Sequence, residues 1–459
     1  MPFDPILAAI RFGTGLSPRV APPGSARAML ERLRGPDEAA AAWPIPTYDS
    51  LRPRFEEFLA TGRAVNEARK GGGEAPVEVQ ERLASLRREA HAERSAEFRA
   101  TLARLACAED GLRERLVLFW ADHFTVRGKS GAWDRYITPY VEEAIRPRVA
   151  GRFGDLLFAV TTHPMMLKYL DQDRSVGPGS RGGQARGRGL NENLARELME
   201  LHTLGVDAPY RQRDVRQLAE LLTGLTVNGV SMAYRPAWAE PGRETVLGRT
   251  YSAEADLGTI RAALDDLALH PATAGHIARK LAVHFVADEP DPDLVEAMRR
   301  AYGETGGRIG AVVQAMLAHP AAWAPEKRKV RQPIEFLAAS LRALGVEGAW
   351  LLGRDEGQTD ELFQTPLAEM GQAWQQPPGP NGWPEEAEAW ITPQGLAARI
   401  DWAMTVPERI LAELPDPRAF VEAALGPDLP REVSVAAHAA ERRDEGVGLV
   451  LASAEFQRR

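Results

Sequence analysis

Gly189-Leu190-Asn191-Glu192-Asn193-Leu194-Ala195-Arg196-Glu197-Leu198-Met199-Glu200-Leu201-His202-Thr203-Leu204-Gly205 is the stretch on which the fold reading turns. Apolar residues recur at three and four, strong helix formers fill the gaps, and glycine stands at both ends, so the segment reads as a short amphipathic helix. At about 100° per residue, Asn193, Arg196, Glu197 and Glu200 share one face, and Leu194, Leu198, Leu201 and His202 the other. Glu197 and Glu200, one turn apart, can converge on one ligand or cation, as carboxylates do in helical metal sites. The competing reading is a solvated face with an intrahelical Glu/Arg pair. His202 follows Glu200 by two and points away from it, which excludes a Glu-x-x-His di-iron pattern.

Outward from this helix, the same period of three and four governs most of the 459 residues, in segments rich in Ala, Leu, Arg and Glu. The fold expected is mainly α: a large multi-helix body with a small β-hairpin insertion and no recognised superfold. At ~100–200 residues per domain, the chain divides into an N-terminal helical lobe (1–110), a central region around the signature helix (111–225), the insertion (226–255), a further helical region (256–345) and a tryptophan-rich loop with C-terminal helices (346–459). The insertion is expected from alternating apolar and polar residues around Pro241-Gly242. The run from Gln80 to Arg104 alternates charge signs and reads as a long helix with a wet face. Three helices end at His-Pro, at His163-Pro164, His270-Pro271 and His319-Pro320. Proline starts the next helix, and a histidine at the end of the previous one complements its dipole. These histidines therefore read as junction residues rather than ligands.

Composition narrows the function classes. Hydrophobic content of 44% and charged content of 26% are those of a globular protein. A net charge of −8 argues against general nucleic-acid binding. The single cysteine, Cys107, makes neither an internal disulfide nor a thiolate zinc site and reads as a small buried hydrophobe. No stretch approaches the ~20 apolar residues of a membrane span. Met1 to Arg11 lacks a basic region followed by a long apolar run, so no signal peptide is expected, with cytoplasm the default and co-export to the periplasm the alternative.

Several segments bear chemistry. His123 falls on the apolar stripe of Leu116 and Phe119, as His202 does on that of its own helix. Each alone reads as a core histidine, but if the two met, with Asp122 or Glu200 beside them, a metal or acid–base centre would follow. His276, Lys280 and His284 share one helix face, and neighbouring Arg279 is a partner for the signature carboxylates. The Gly-rich basic run from Gly177 to Gly189, with Arg181, Arg186 and Arg188, enters the signature helix and could cradle an anion such as a sulfated or phosphorylated group, though it matches no phosphate-loop or dinucleotide pattern. Four of the ten tryptophans lie between Trp374 and Trp402. Their indoles either grip a sugar or an extended peptide or nail a long loop onto the core. Thr392 caps and Pro393 starts the helix that follows.

Leu190 to Gly205, together with Asp214-Val215-Arg216-Gln217-Leu218-Ala219, resembles the signature of the bacterial family called domain of unknown function 1800. Phe119-Trp120-Ala121-Asp122-His123-Phe124, Met166-Leu167-Lys168-Tyr169-Leu170-Asp171, His276-Ile277-Ala278-Arg279-Lys280-Leu281 and Pro377-Pro378 followed by Gly382-Trp383-Pro384 match in the same order, from Arg11-Phe12-Gly13 to about Ala403. The resemblance frames the fold and carries no particular reaction. It also implies a neighbour with sulfatase- or phosphatase-like architecture. Two functions are therefore expected. One is an enzyme, metal-dependent through a divalent ion, with a pocket of Asn193, Glu197, Glu200, His123, His202 and Arg279. The other is a non-catalytic partner of the sulfatase/phosphatase-like protein. A carbohydrate- or peptide-binding module is a third.

Overall fold

The computed structural model describes residues 3–129, 131–186 and 189–459. They form a mainly helical body. Its elements include α1 (Tyr48–Lys70), α2 (Val77–Cys107), α3 (Gly111–His123), α4 (Phe153–Thr161) and α5 (Asn193–Glu197), which runs on as a π turn over Leu198–His202. After α6 (Gln212–Leu221) the chain makes two antiparallel hairpins, β1 (Leu225–Asn228) with β2 (Ser231–Tyr234) and β3 (Thr245–Val246) with β4 (Arg249–Thr250). It returns to helix with α7 (Pro271–Phe285), α8 (Pro333–Ala343), α9 (Pro393–Thr405) and α10 (Arg443–Ala452). The expected β insertion is present as two hairpins, and Pro241-Gly242 lies in the link between them.

Two apolar cores organise the chain. The first gathers residues between Leu7 and Trp323, including Trp120, Leu194, Leu198 and Ile277. The second joins the C-terminal half of α2, from Phe98 to Ala106, to α8, α9 and α10. Between them lies α3, whose apolar residues face both cores and whose buried charges, Arg113, Glu114 and Arg115, are each held in an ion pair. Phe119 and Trp120 enter the first core, and Leu118 packs against the second.

Buried charges stitch the cores together. Arg115 on α3 meets Glu335 on α8 at 3.1 Å, and Glu335 meets Arg459 at 2.9 Å. Arg459 also donates to the His284 carbonyl at 2.6 Å. An isolated buried charge is costly, and these are viable because each lies against an opposite one. The wet face expected of Gln80–Arg104 is thus only half right. Glu97 and Arg104 are buried because the second core covers this end of α2, and Arg104 pairs with Glu142 at 2.6 Å.

The His-Pro junctions work from the other side of the break. His163, His270 and His319 are N-caps of the following helices, each Nδ1 accepting the main-chain N–H two residues on, at 3.2, 3.1 and 3.3 Å. An accepting imidazole nitrogen carries no proton. These rings therefore satisfy an orphan donor of the next helix rather than lend charge to the previous one. The Gly-rich run is docked rather than loose: Gly177 donates to the Trp238 carbonyl and Gly179 to the Glu240 carboxylate, each at 2.8 Å, and Arg181–Arg186 forms a short helix. Arg188 and the side chain of Arg186 lie outside the described residues.

Candidate functional site

α5 does not end as a regular helix. Its π turn over Leu198–His202 leaves the last carbonyls without intrahelical donors, and two imidazoles from other helices supply them. His123 of α3 donates through Nε2 to the His202 carbonyl, and His276 of α7 to that of Leu201, both at 3.1 Å. The rings of His123, His202 and His276 consequently gather, with the His123 centroid 6.0 Å from His202 and 6.3 Å from His276. Burial holds all three neutral. It brings His202 down to about 3 and His276 to about 4, with Lys280 acting in the same sense, and takes His123 well below its usual value. The Nδ1 atoms of His123 and His202 find no hydrogen-bond partner among the described residues.

Lys280 stands one turn beyond His276 on α7, with His284 a turn further. Burial lowers the Lys280 ammonium against the opposing pull of Asp122 and Glu385. His284 is hydrogen-bonded to Glu385 at 2.5 Å, and Glu385 also pairs with Lys329 at 3.3 Å. The face His276, Lys280, His284 is therefore a polar seam laid across the first core.

The tryptophan loop closes the seam. The Trp383 N–H donates to Asp122 Oδ1 at 2.7 Å, and Ala387 donates to Asp288 at 3.2 Å. Trp390 is buried, its indole donating to the Pro384 carbonyl at 3.0 Å, and Trp374 packs edge-on against Phe98. The indoles are turned inward, so the loop is nailed down by its aromatics and, beyond what its composition suggests, by carboxylates.

Beneath this loop, between the two cores, is a cavity of about 130 Å³. One face of α3 lines it at helical spacing: Glu114, Val117, Leu118, Ala121 and Asp122. Thr101 and Arg104 of α2, Thr138, Glu142, Trp374 and Trp383 complete much of the wall. Its charges are mostly paired within the protein, Arg104 with Glu142 and Arg146 with Glu114 at 2.5 Å. Asp122 differs. Burial pushes its carboxyl up to about 7, with Glu385 adding to the rise and Trp383 and Lys280 opposing it. Glu97, behind Thr138, is driven by burial to about 8, and its Oε2 has no partner among the described residues. Such a wall can exchange a proton near neutral pH within a mostly apolar space.

The expected site residues divide. His123 and His202 meet, as the two signature segments allow. Glu197 and Glu200 are half-buried away from them. Glu200 pairs with Arg196 at 3.2 Å, and burial, with Glu200 next, raises Glu197. Asn193 is exposed at the start of α5. Arg279 is exposed and, among the described residues, joins no ion pair, because it points off the side of α7 opposite the buried seam. No group of three or more His, Cys, Asp or Glu side chains has the arrangement to hold a metal among the described residues. No helix among them is long and apolar enough to cross a membrane. The sequence reading missed Arg104 and Glu142 as wall residues and Glu97 behind them. Only Asp122 and Lys280 left a signal, as polar residues within otherwise apolar motifs.

Several of the segments through which the chain resembles a known family converge here, 119–124, 198–202, 276–281 and 382–384. The molecule is a helical protein with a polar seam and a partly open cavity between two cores. It belongs to the family described as protein of unknown function (DUF1800), whose model matches residues 8–458. The chain matches no curated protein and no solved structure.

Proposed function

We propose that the chain is an enzyme of acid–base type, its small and largely apolar substrate held in the cavity beneath the tryptophan loop and its proton exchanged with Asp122. The observation that carries this reading is the placement of the Asp122 carboxyl on the wall of a mainly apolar cavity, where burial pushes it up to about 7. A carboxyl of ordinary acidity would be ionised throughout the neutral range and a poor proton donor there. Glu385 and Lys280 act on Asp122 in opposite senses, the first raising and the second lowering its carboxyl. The carbohydrate- or peptide-binding reading drew on the indoles of this loop, and with Trp374 and Trp390 packed inward it stands behind this one.

A cavity of this size takes a benzene-sized molecule. The test is fluorine NMR on protein carrying fluorotryptophan, with Trp374→Phe and Trp383→Phe used for assignment and benzylamine and toluene as probes. Both probes should move the two resonances. Benzylamine should bind more tightly as pH rises from about 6 to about 8, because Asp122 ionises across that range, and Asp122→Asn should abolish the gain while toluene stays indifferent to pH. Resonances that move with neither probe, or benzylamine binding that ignores both pH and Asp122, overturn the proposal.

A further inference from the structure

A second recess, an open groove of about 770 Å³, shares no lining residue with the cavity. It runs past the start of α1, the 143–152 segment, α4 and β2. Four guanidiniums reach it, Arg52, Arg148, Arg152 and Arg261, against three carboxylates, Asp49, Glu143 and Asp155. The carboxylates are engaged. Asp49 pairs with Arg52 at 3.1 Å and Asp155 with Arg261 at 2.6 Å, while Glu143 accepts the Asp49 N–H at 2.6 Å. Arg148 and Arg152 are left without a carboxylate among the described residues. Arg148 is held in place by donating to the carbonyls of Glu143 and Ala144, at 2.8 and 3.1 Å, and Arg152 is exposed.

An independent observation comes from His163, which lines the same groove and is 5% exposed. Its Nδ1 accepts the Met165 N–H, so the ring proton sits on Nε2. That Nε2 has no hydrogen-bond partner: Glu143 Oε1 lies at 3.7 Å, beyond hydrogen-bond reach. A buried donor left unmade costs free energy that a ligand oxygen would recover.

We propose that this groove binds a phosphate monoester, its oxyanion held by Arg148, Arg152 and the Nε2–H of His163 and its organic part lying on Ala159 and Met232. Four guanidiniums against three carboxylates leave the groove one net positive charge, with Arg148 and Arg152, which pair with no carboxylate among the described residues, placed to take an oxyanion, and donors from three directions suit three terminal oxygens better than the two of a carboxylate. The apolar lining gives the organic part a surface, which inorganic phosphate could not use.

Calorimetric titration of the full chain with phenyl phosphate, inorganic phosphate and phenyl sulfate tests this. Phenyl phosphate should bind most tightly of the three. Arg152→Ala, at an exposed side chain that joins no ion pair among the described residues, should weaken it about tenfold or more, the loss of one charge-assisted contact. Arg148→Ala should do the same, and Arg300→Ala, at an exposed arginine outside the groove, should leave it unchanged. Absence of binding by phenyl phosphate, or binding unaffected by Arg152→Ala, overturns the site. Inorganic phosphate as tight as the ester overturns the role of the apolar lining, and phenyl sulfate as tight as the ester overturns the choice of a dianion.

Discussion

Gly382 lies flat against the Asp122 carboxyl. Its φ is +77°, and a Cβ there would stand 2.5 Å from Oδ1. Both facts demand glycine: the left-handed backbone costs other residues about 1 kcal/mol, and the contact leaves no room for a methyl. Gly382→Ala should lift the loop, wet Asp122 and lower its titration toward the ordinary carboxylate range. The checks are a red shift in tryptophan emission and a lower Tm. Asp122→Asn should act in the opposite sense. A folded-state value of about 7, above that of the unfolded chain, means that ionisation opposes folding. The penalty is absent below about pH 4 and complete above about pH 7, and asparagine can still accept the Trp383 N–H. The variant should therefore gain stability over the parent as pH rises from about 4 to about 8, by about 1 kcal/mol or more, read from denaturant unfolding at each pH. A variant without that pH-dependent gain would show that Asp122 is solvated.

Among the elements, the helix starts say most. His270 caps α7 with Nδ1, so His270→Ala should cost about 1 kcal/mol of stability, while His270→Asn, whose Oδ1 can take the same N–H, should restore most of it. That the chain breaks at His-Pro is legible in sequence, because proline restricts the residue before it. Which helix the imidazole serves is not legible, since that depends on a backbone angle: His270 has ψ 139°, outside the helix it follows. The α2 charges teach a related lesson. The periodicity that marks Val77–Cys107 as helix is the same along its whole length, yet the charges it buries, Glu97 and Arg104, lie only in the C-terminal half. Arg104 is buried because Glu142, from a segment distant in sequence, comes to meet it. The π turn of α5 has no local signature either, and it is that turn which frees carbonyls for His123 and His276.

At the scale of the whole molecule, motif and site coincide in a way that sequence only half reveals. His123 and His202 were separately legible as apolar-face histidines, and the shared face of His276, Lys280 and His284 was visible in the spacing. That these faces meet, and that the loop at Trp383 lands on Asp122, is a matter of packing between distant segments. The ionic belt joining the cores makes a global prediction. Glu335, between Arg115 and Arg459, is held at about 2, below its ordinary value. Its stabilising contribution is therefore complete above about pH 4.3 and lost as pH falls toward about 2. Glu335→Gln should cost about 3–5 kcal/mol at neutral pH, because it strands buried guanidiniums. Chemical unfolding followed against pH should show the gap between parent and variant constant at neutrality and narrowing in acid. A gap that widens in acid would contradict the assignment.

The cavity also sets how the protein answers to compression. A folded state that encloses unfilled space occupies more volume than the states that collapse or flood it, so hydrostatic pressure favours the latter. Here the cavity of about 130 Å³, partly open to solvent and mainly apolar in its lining, lies where the two cores face each other. Pressure should part the cores along that plane first, exposing Trp374 and Trp383 before the interior of either core. A molecule lodged in the void should raise the pressure at which the parting begins.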